Sequence, residues 1–261
     1  SINDIMFYNN FVYLSCDFGI VVLDISKEEI RETYWTRYNN SILEVNSTAV
    51  YNSCLYAATS KGLFFCNMNK NINDFNNWEK DSSLTFPDSV YKRATIYDNK
   101  LFVSVRFNYG DTVYYKYELG NWKVFSEFKR VYDMKGYSKG LVIANEWFTN
   151  VYDKNLHQTR HIYTYFNNAT LAPNAGIIDR NDELWIADRV SGMIRNRKDW
   201  DISVIVPSGP FSDKVFKINE DKSGRIFYCA GGINASWNNQ YYQYGISYFD
   251  KEQWFLLKEP N

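Results

Sequence analysis

Phe11-Val12-Tyr13-Leu14-Ser15-Cys16-Asp17-Phe18-Gly19-Ile20-Val21-Val22-Leu23-Asp24 is the stretch on which the fold turns. Phe11 to Cys16 alternates side chains with a period of two, the signature of a strand with two unlike faces. Asp17-Phe18-Gly19 then breaks the pattern, and an apolar run begins at once at Ile20. Glycine suits that position because a tight turn between paired strands needs a positive φ, which glycine adopts at little cost. The segment therefore reads as a β-hairpin.

The same hairpin recurs along the chain. Ser60-Lys61-Gly62-Leu63, Val190-Ser191-Gly192-Met193 and Tyr244-Gly245-Ile246 repeat the glycine turn, and Lys100 to Val105 repeats the alternation. A strand start precedes each hairpin near Ile2, Val45, Val90, Val131, Pro173 and Val215, a period of roughly 40–45 residues, which is the size of one four-stranded propeller blade. An outer strand is announced by a polar residue and tryptophan in Asn77-Trp78, Asn121-Trp122, Asp199-Trp200 and Gln253-Trp254. At a weakly protected edge strand these rings are expected to cover apolar surface between blades. The reading is a single all-β propeller domain over residues 1–261, with about six four-stranded blades at approximately 1–42, 43–86, 87–129, 130–168, 169–209 and 210–261. The fourth unit lacks the punctuation and carries Glu146-Trp147-Phe148-Thr149 at its turn. Ser26 to Glu32 and Asn69 to Asn77 read as connections with room for one helical turn, and neither is assigned a helix.

Composition agrees. Aromatic residues make up 18% of the chain, with 22 Tyr, 18 Phe and 8 Trp, side chains that fit a half-buried pleated surface. With 29 Lys and Arg against 30 Asp and Glu there is no electrostatic footprint for a phosphate backbone, so nucleic acid is not an expected partner. No run reaches the roughly 18 apolar residues of a spanning helix, so no membrane insertion is expected within this chain. The opening directly on a strand points to a segment of a longer protein, without a signal peptide of its own. Cys16, Cys54, Cys66 and Cys229 sit in apolar or aromatic runs without C-x-x-C spacing and read as buried strand thiols.

Motifs of chemistry are missing. The two histidines, His157 and His161, are four apart, but no H-E-x-x-H glutamate or third ligand is near in sequence. There is no G-x-S-x-G, P-loop or G-x-G-x-x-G. Paired carboxylates assembled across blades stay open, because spacing along the chain cannot reveal them. Asn219 to Gly224 begins like a calcium loop but lacks the closing glutamate and reads as a turn. The sequons at Asn46, Asn168 and Asn234 need no glycan to explain them in an asparagine-rich chain. No catalytic residue, metal or cofactor is expected, and the chain is read as a binding module.

A propeller opens its second-to-third-strand turns and its blade-to-blade connections on one face. That places Asp17, Phe18, Lys61, Arg106 to Asp111, Glu146 to Thr149 and Asp188 to Ser191 together, with an insertion from Gly231 to Tyr244 in the last unit. The candidate ligand-binding residues are Arg106, Tyr109, Trp147, Arg189, Asn234, Trp237, Asn238 and Tyr241. Flat rings beside amides and guanidiniums suit a sugar, which offers an apolar C–H face and a rim of hydroxyls. Arg106 and Arg189 are placed to hold an anion.

Two stretches resemble a known family. Leu14 to Asp24 running on to Ile30-Arg31-Glu32-Thr33-Tyr34, and Tyr228-Cys229-Ala230-Gly231-Gly232-Ile233-Asn234-Ala235-Ser236-Trp237-Asn238-Asn239, are similar to the propeller region of PorZ-type proteins of the type IX secretion system. The resemblance implies a periplasmic or cell-surface location. It also implies an anionic lipopolysaccharide, another surface glycolipid or a polysaccharide as ligand, and secretion-system proteins or cargo sorting domains as partners. It carries over no catalytic residue. It implies seven blades, one more than the repeats visible here. Ile178 to Ala187 and Asn219 to Tyr228 also resemble the two-component-regulator propeller repeat, which implies the alternative of a periplasmic oligosaccharide-sensing module.

Overall fold

The computed structural model describes residues 1–39, 41–118, 120–165, 169–205, 209–212, 214–242 and 245–257. Tyr244, read as opening a glycine turn, and Asn168, one of the three sequons, lie outside them. Two compact units divide the chain, residues 1–205 and 206–261.

The first unit holds five antiparallel four-stranded blades, each a meander in chain order. Blade 1 comprises Ile2–Tyr8, Phe11–Cys16, Gly19–Asp24 and Glu29–Trp35; blade 2 Val45–Tyr51, Cys54–Thr59, Gly62–Asn67 and Glu79–Lys80. Blade 3 comprises Val90–Tyr97, Lys100–Arg106, Asp111–Tyr117 and Lys123–Phe128; blade 4 Val131–Tyr137, Gly140–Asn145, Thr149–Tyr152 and Gln158–Ile162; blade 5 Pro173–Ile178, Leu184–Asp188, Gly192–Asn196 and Ile202–Ile205. The second unit is one further sheet of the same form, Val215–Glu220, Ile226–Ala230, Ile246–Asp250 and Gln253–Leu257. All six inner strands begin where the repeat placed them, and the fold is a β-propeller. Among the described residues, the one helical turn is a 3-10 turn at Phe75–Asn77, inside a stretch read as a connection.

Alternation along the middle strands builds the core. In Cys54–Thr59, Leu55 and Ala57 pack with Tyr13, Ile20 and Val22 of blade 1, whereas Tyr56 and Ala58 pack with Tyr91, Leu101 and Val103 of blade 3. Both faces are apolar because a blade lies between two neighbours, and each of the four apolar clusters of this unit fills one gap between successive blades. The turn glycine is needed at Gly19, where φ is +148° and a Cβ would lie 2.1 Å from the Tyr34 carbonyl oxygen.

A second repeat was not read from the sequence. Every inner strand carries a β-bulge at its second or third residue, between Ile2 and Asp4, Val45 and Ser47, Tyr91 and Arg93, Val131 and Asp133, Pro173 and Ala175, and Val215 and Lys217. The bulge turns polar groups toward the next blade. Asn3 Nδ2 donates to the Val45 carbonyl at 2.9 Å, Asn46 Nδ2 to the Tyr91 carbonyl at 2.9 Å, and Arg93 Nε to the Tyr132 carbonyl at 2.8 Å. The following residue adds a second tie, Ser47 Oγ to the Ala94 carbonyl at 3.1 Å and the Gly176 N–H to Asp133 Oδ2 at 3.4 Å. Lys135 Nζ of blade 4 donates to Asp4 Oδ1 of blade 1 at 2.6 Å, 131 residues away, across a cavity of about 600 Å³ lined by the inner strands.

Asp133, in the inner strand of blade 4, is half-buried as a residue, and its carboxyl sits deep among packed inner strands. Loss of hydration raises its pKa above the ordinary 3.8, against the pull of Lys135 and Arg93, with Asp4 adding to the rise. A raised carboxyl pKa favours the fold fully below the ordinary value, and that contribution is lost as pH climbs through the folded-state value. Asp133→Asn is therefore expected to raise Tm at pH 7 and to match the parent near pH 3, read by thermal denaturation across that range. A lower Tm at pH 7 would show that the charged form is stabilised instead.

Two sequence expectations need correction. Cys16 and Cys66 are buried, but Cys54 and Cys229 are half-exposed; Cys54 begins its strand beside an open turn. His157 and His161 do not share a site: a bulge in their blade offsets them, His157 lies beside Asp153, and His161 Nδ1 bonds Asn150 Oδ1 at 2.6 Å. Trp200, expected to be covered, is 61% exposed. Trp78 is buried because the long connection before it folds back, stacking Phe75 on it and accepting its Nε1–H at the Ile72 carbonyl. The connection that carries Trp200 is only Arg197–Asp201, too short to fold over the ring.

Candidate binding face

The second-to-third-strand turns are fixed by side chains at the strand ends. Thr59 Oγ1 accepts the Lys61 N–H and donates to the Gly62 carbonyl. Asn145 Oδ1 accepts the N–H groups of Trp147 and Phe148, and Asp188 Oδ1 those of Val190 and Ser191. A short polar side chain that satisfies its own turn is a local device, legible wherever Asn, Asp or Thr closes an alternating run. Asp188 Oδ2 also accepts the Ala172 N–H at 2.6 Å, locking the turn of blade 5 to the entry of its inner strand.

Blade 3 carries the densest charge. Asp111 is fully covered and accepts Arg106 Nε at 3.1 Å and Nη2 at 2.9 Å, while the Val131 N–H of blade 4 donates to Oδ2 at 2.8 Å. Arg130 lies 3.5 Å away and donates to the carbonyls of Phe107 and Asn108. Two guanidiniums thus share one carboxylate, and the cluster keeps a net positive charge. Arg106, expected to be available to an anion, already holds one in Asp111.

Tyr109, at the tip of the same loop, is 95% exposed and lines a cleft of about 420 Å³ with Phe107, Glu127 and Lys129. Lys129 Nζ lies 5.5 Å over the half-exposed ring of Trp147 on blade 4. Arg189 stacks on Tyr132 at 4.9 Å and donates to the Ala172 carbonyl at 3.3 Å. Of the predicted residues in this unit, the structure therefore links Tyr109 and Trp147 through Lys129, ties Arg106 inward, and leaves Arg189 on the next inner-strand entry. Lys129 and Arg130 went unnoticed in the sequence, although they stand together just before the start of blade 4.

The other four candidates belong to the second unit. Asn234 Oδ1 accepts the N–H groups of Ser236 and Asn238, and the Asn234 N–H donates to the Asn238 carbonyl, so this carboxamide shapes its own loop. Trp237 and Tyr241 stand 81% and 80% exposed, at φ of +64° and +48°. Left-handed backbone at two aromatic residues is sterically costly and is held here by the loop's own hydrogen bonds. Among the described residues, no group of three His, Cys, Asp or Glu is placed to hold a metal, and no helix is long and apolar enough to cross a membrane. Asp221 caps its own turn through the N–H groups of Ser223 and Arg225, as the turn reading expects.

Residues 1–79 match the family model of the N-terminal β-propeller domain of PorZ of the type IX secretion system. The resemblance to PorZ-type proteins therefore holds over that segment. No curated protein sequence matches the chain. Among solved structures, PorZ of Porphyromonas gingivalis is similar at a TM-score of 0.68 and 17% identity, covering 97% of this chain and 32% of that one. The extracellular domain of a hybrid two-component system of B. thetaiotaomicron gives 0.54 and 14%, covering 88% and 31%, and streptogramin B lyase 0.57 and 14%, covering 99% and 84%. At these identities the likeness is one of fold. The chain spans about a third of the length of that PorZ structure.

Proposed function

We propose that the chain is a non-catalytic binding and scaffold propeller of a PorZ-like protein outside the cytoplasm, and that its loop face takes an anionic surface glycolipid of the lipopolysaccharide type. The observation that carries this reading is the face joining Tyr109, Lys129 and Trp147 beside the two-arginine cluster on Asp111. Exposed rings meet the C–H faces of sugars, and surplus cationic charge attracts phosphate or carboxylate groups. The match of residues 1–79 to the PorZ propeller supports protein partners in the type IX secretion apparatus, to which we add the sorting domains of its cargo.

Immobilised anionic lipopolysaccharide is expected to retain the chain, with retention falling as salt is raised. The double variant Lys129→Ala, Trp147→Ala is expected to weaken it by about tenfold, the order of one stacked cation and one ring. Retention unchanged in the double variant would move the site elsewhere. No retention on lipopolysaccharide, with capture by purified sorting domains, would assign the face to protein partners. Retention on neither would overturn the reading.

A further inference from the structure

A chain of aromatic contacts crosses from blade 4 to blade 5 along their outer strands. Phe148 and His161 have ring centroids 4.8 Å apart, His161 and Tyr163 5.3 Å, and Tyr163 and Trp200 5.8 Å. The series becomes more exposed toward its end, where Tyr163 is about half exposed and Trp200 is the outer tryptophan left without a covering connection. Beside it lies a cleft of about 240 Å³ between Thr159, Arg160 and His161 on one wall and Lys198, Asp199 and Trp200 on the other.

The cleft walls are polar and charge-balanced. Arg160 Nη2 grips Asp182 at 2.8 Å, and Lys198 is followed by Asp199. Arg160 Nη1 is a covered donor with no acceptor among the described residues, and so is Asn145 Nδ2 in the turn that carries Phe148. Exposed ring faces beside a polar cleft suit a pyranose ring, whose apolar C–H face stacks while its hydroxyls accept and donate. The balance of charge disfavours a strongly anionic ligand.

We propose that Trp200, met edge-on by Tyr163 with His161 beside it, forms a stacking platform for a neutral hexopyranose polysaccharide. This site lies on the outer rim, apart from the Tyr109, Lys129 and Trp147 face, and does not rest on the reading of that face. Affinity electrophoresis of the whole chain through gels containing soluble β-glucan, galactan, mannan or starch tests it. Retardation is expected in at least one gel, and Trp200→Ala is expected to weaken the apparent association by about tenfold. Tyr163→Ala, as a second variant, should weaken it in the same gel. Lys129→Ala with Trp147→Ala should leave it unchanged, separating the two sites. No retardation in any of the four gels, or retardation that survives both ring removals in proteins of native Tm, would overturn the proposal.

Discussion

Gly136→Ala is expected to destabilise the fold by about 3 kcal/mol, at the upper end of what overpacking one methyl group costs. Gly136 lies in the inner strand of blade 4, and a Cβ there would sit 1.9 Å from the Ile96 carbonyl oxygen and 2.8 Å from its carbon on blade 3. Those are backbone atoms, so no rotamer change relieves the clash, and two inner strands must separate. Separation would also stretch the bond from the Gly136 N–H to Thr95 Oγ1, now 3.0 Å, and open the cluster of Tyr97, Met134 and Leu141. Urea denaturation would show a lower midpoint at unchanged slope. A midpoint equal to the parent's would mean that the two strands do not approach as closely as described.

Asp111→Ala is expected to cost about 3–5 kcal/mol, the range for removing one partner of a buried ion pair. The carboxylate receives both Arg106 nitrogens and the Val131 N–H, and its removal strands a guanidinium and a backbone donor at the junction of blades 3 and 4. Arg106→Ala should cost less, because Arg130 remains within 3.5 Å of the same carboxylate. The order of the two midpoints in denaturant checks the assignment. If Arg106→Ala proved the more damaging, Arg106 would be supporting something other than Asp111. The folded fraction of Asp111→Ala should also bind anions more tightly than the parent, since two cations lose their internal partner.

What could be read in the sequence was what repeats locally. Strand starts at Val45 or Val131 follow from alternation and from the distance to the next turn, and the turn at Gly19 from the demand on φ. The bulges follow from neither, because a bulge leaves the alternation looking only slightly out of step. Asn3, Asn46 and Asn174 do stand second in their inner strands, and aligning the repeats on those strands brings them into register. Trp200 was misread because the motif before it matches that before Trp78, while what decides exposure is the length of chain available to fold back. Arg106 was placed on the right end of its strand, but its partner could be named only once Arg106 and Asp111 were known to face each other across a hairpin. The aromatic chain from Phe148 to Trp200 spans two blades and has no signature along either.

The ammonium of Lys135 resting on Asp4 joins the first strand of translated chain to a residue made much later. At a synthesis rate of about 5–20 residues per second, the 131 intervening residues take roughly 7–26 s to emerge. Blade 1 therefore leaves the ribosome with a carboxylate that has no cross-cavity partner, and it must wait, with its Ser47 contact from blade 2 as the earlier support. A nascent chain stalled before Lys135 would hold its first three blades as an open stack, sensitive to proteases that the finished arc resists.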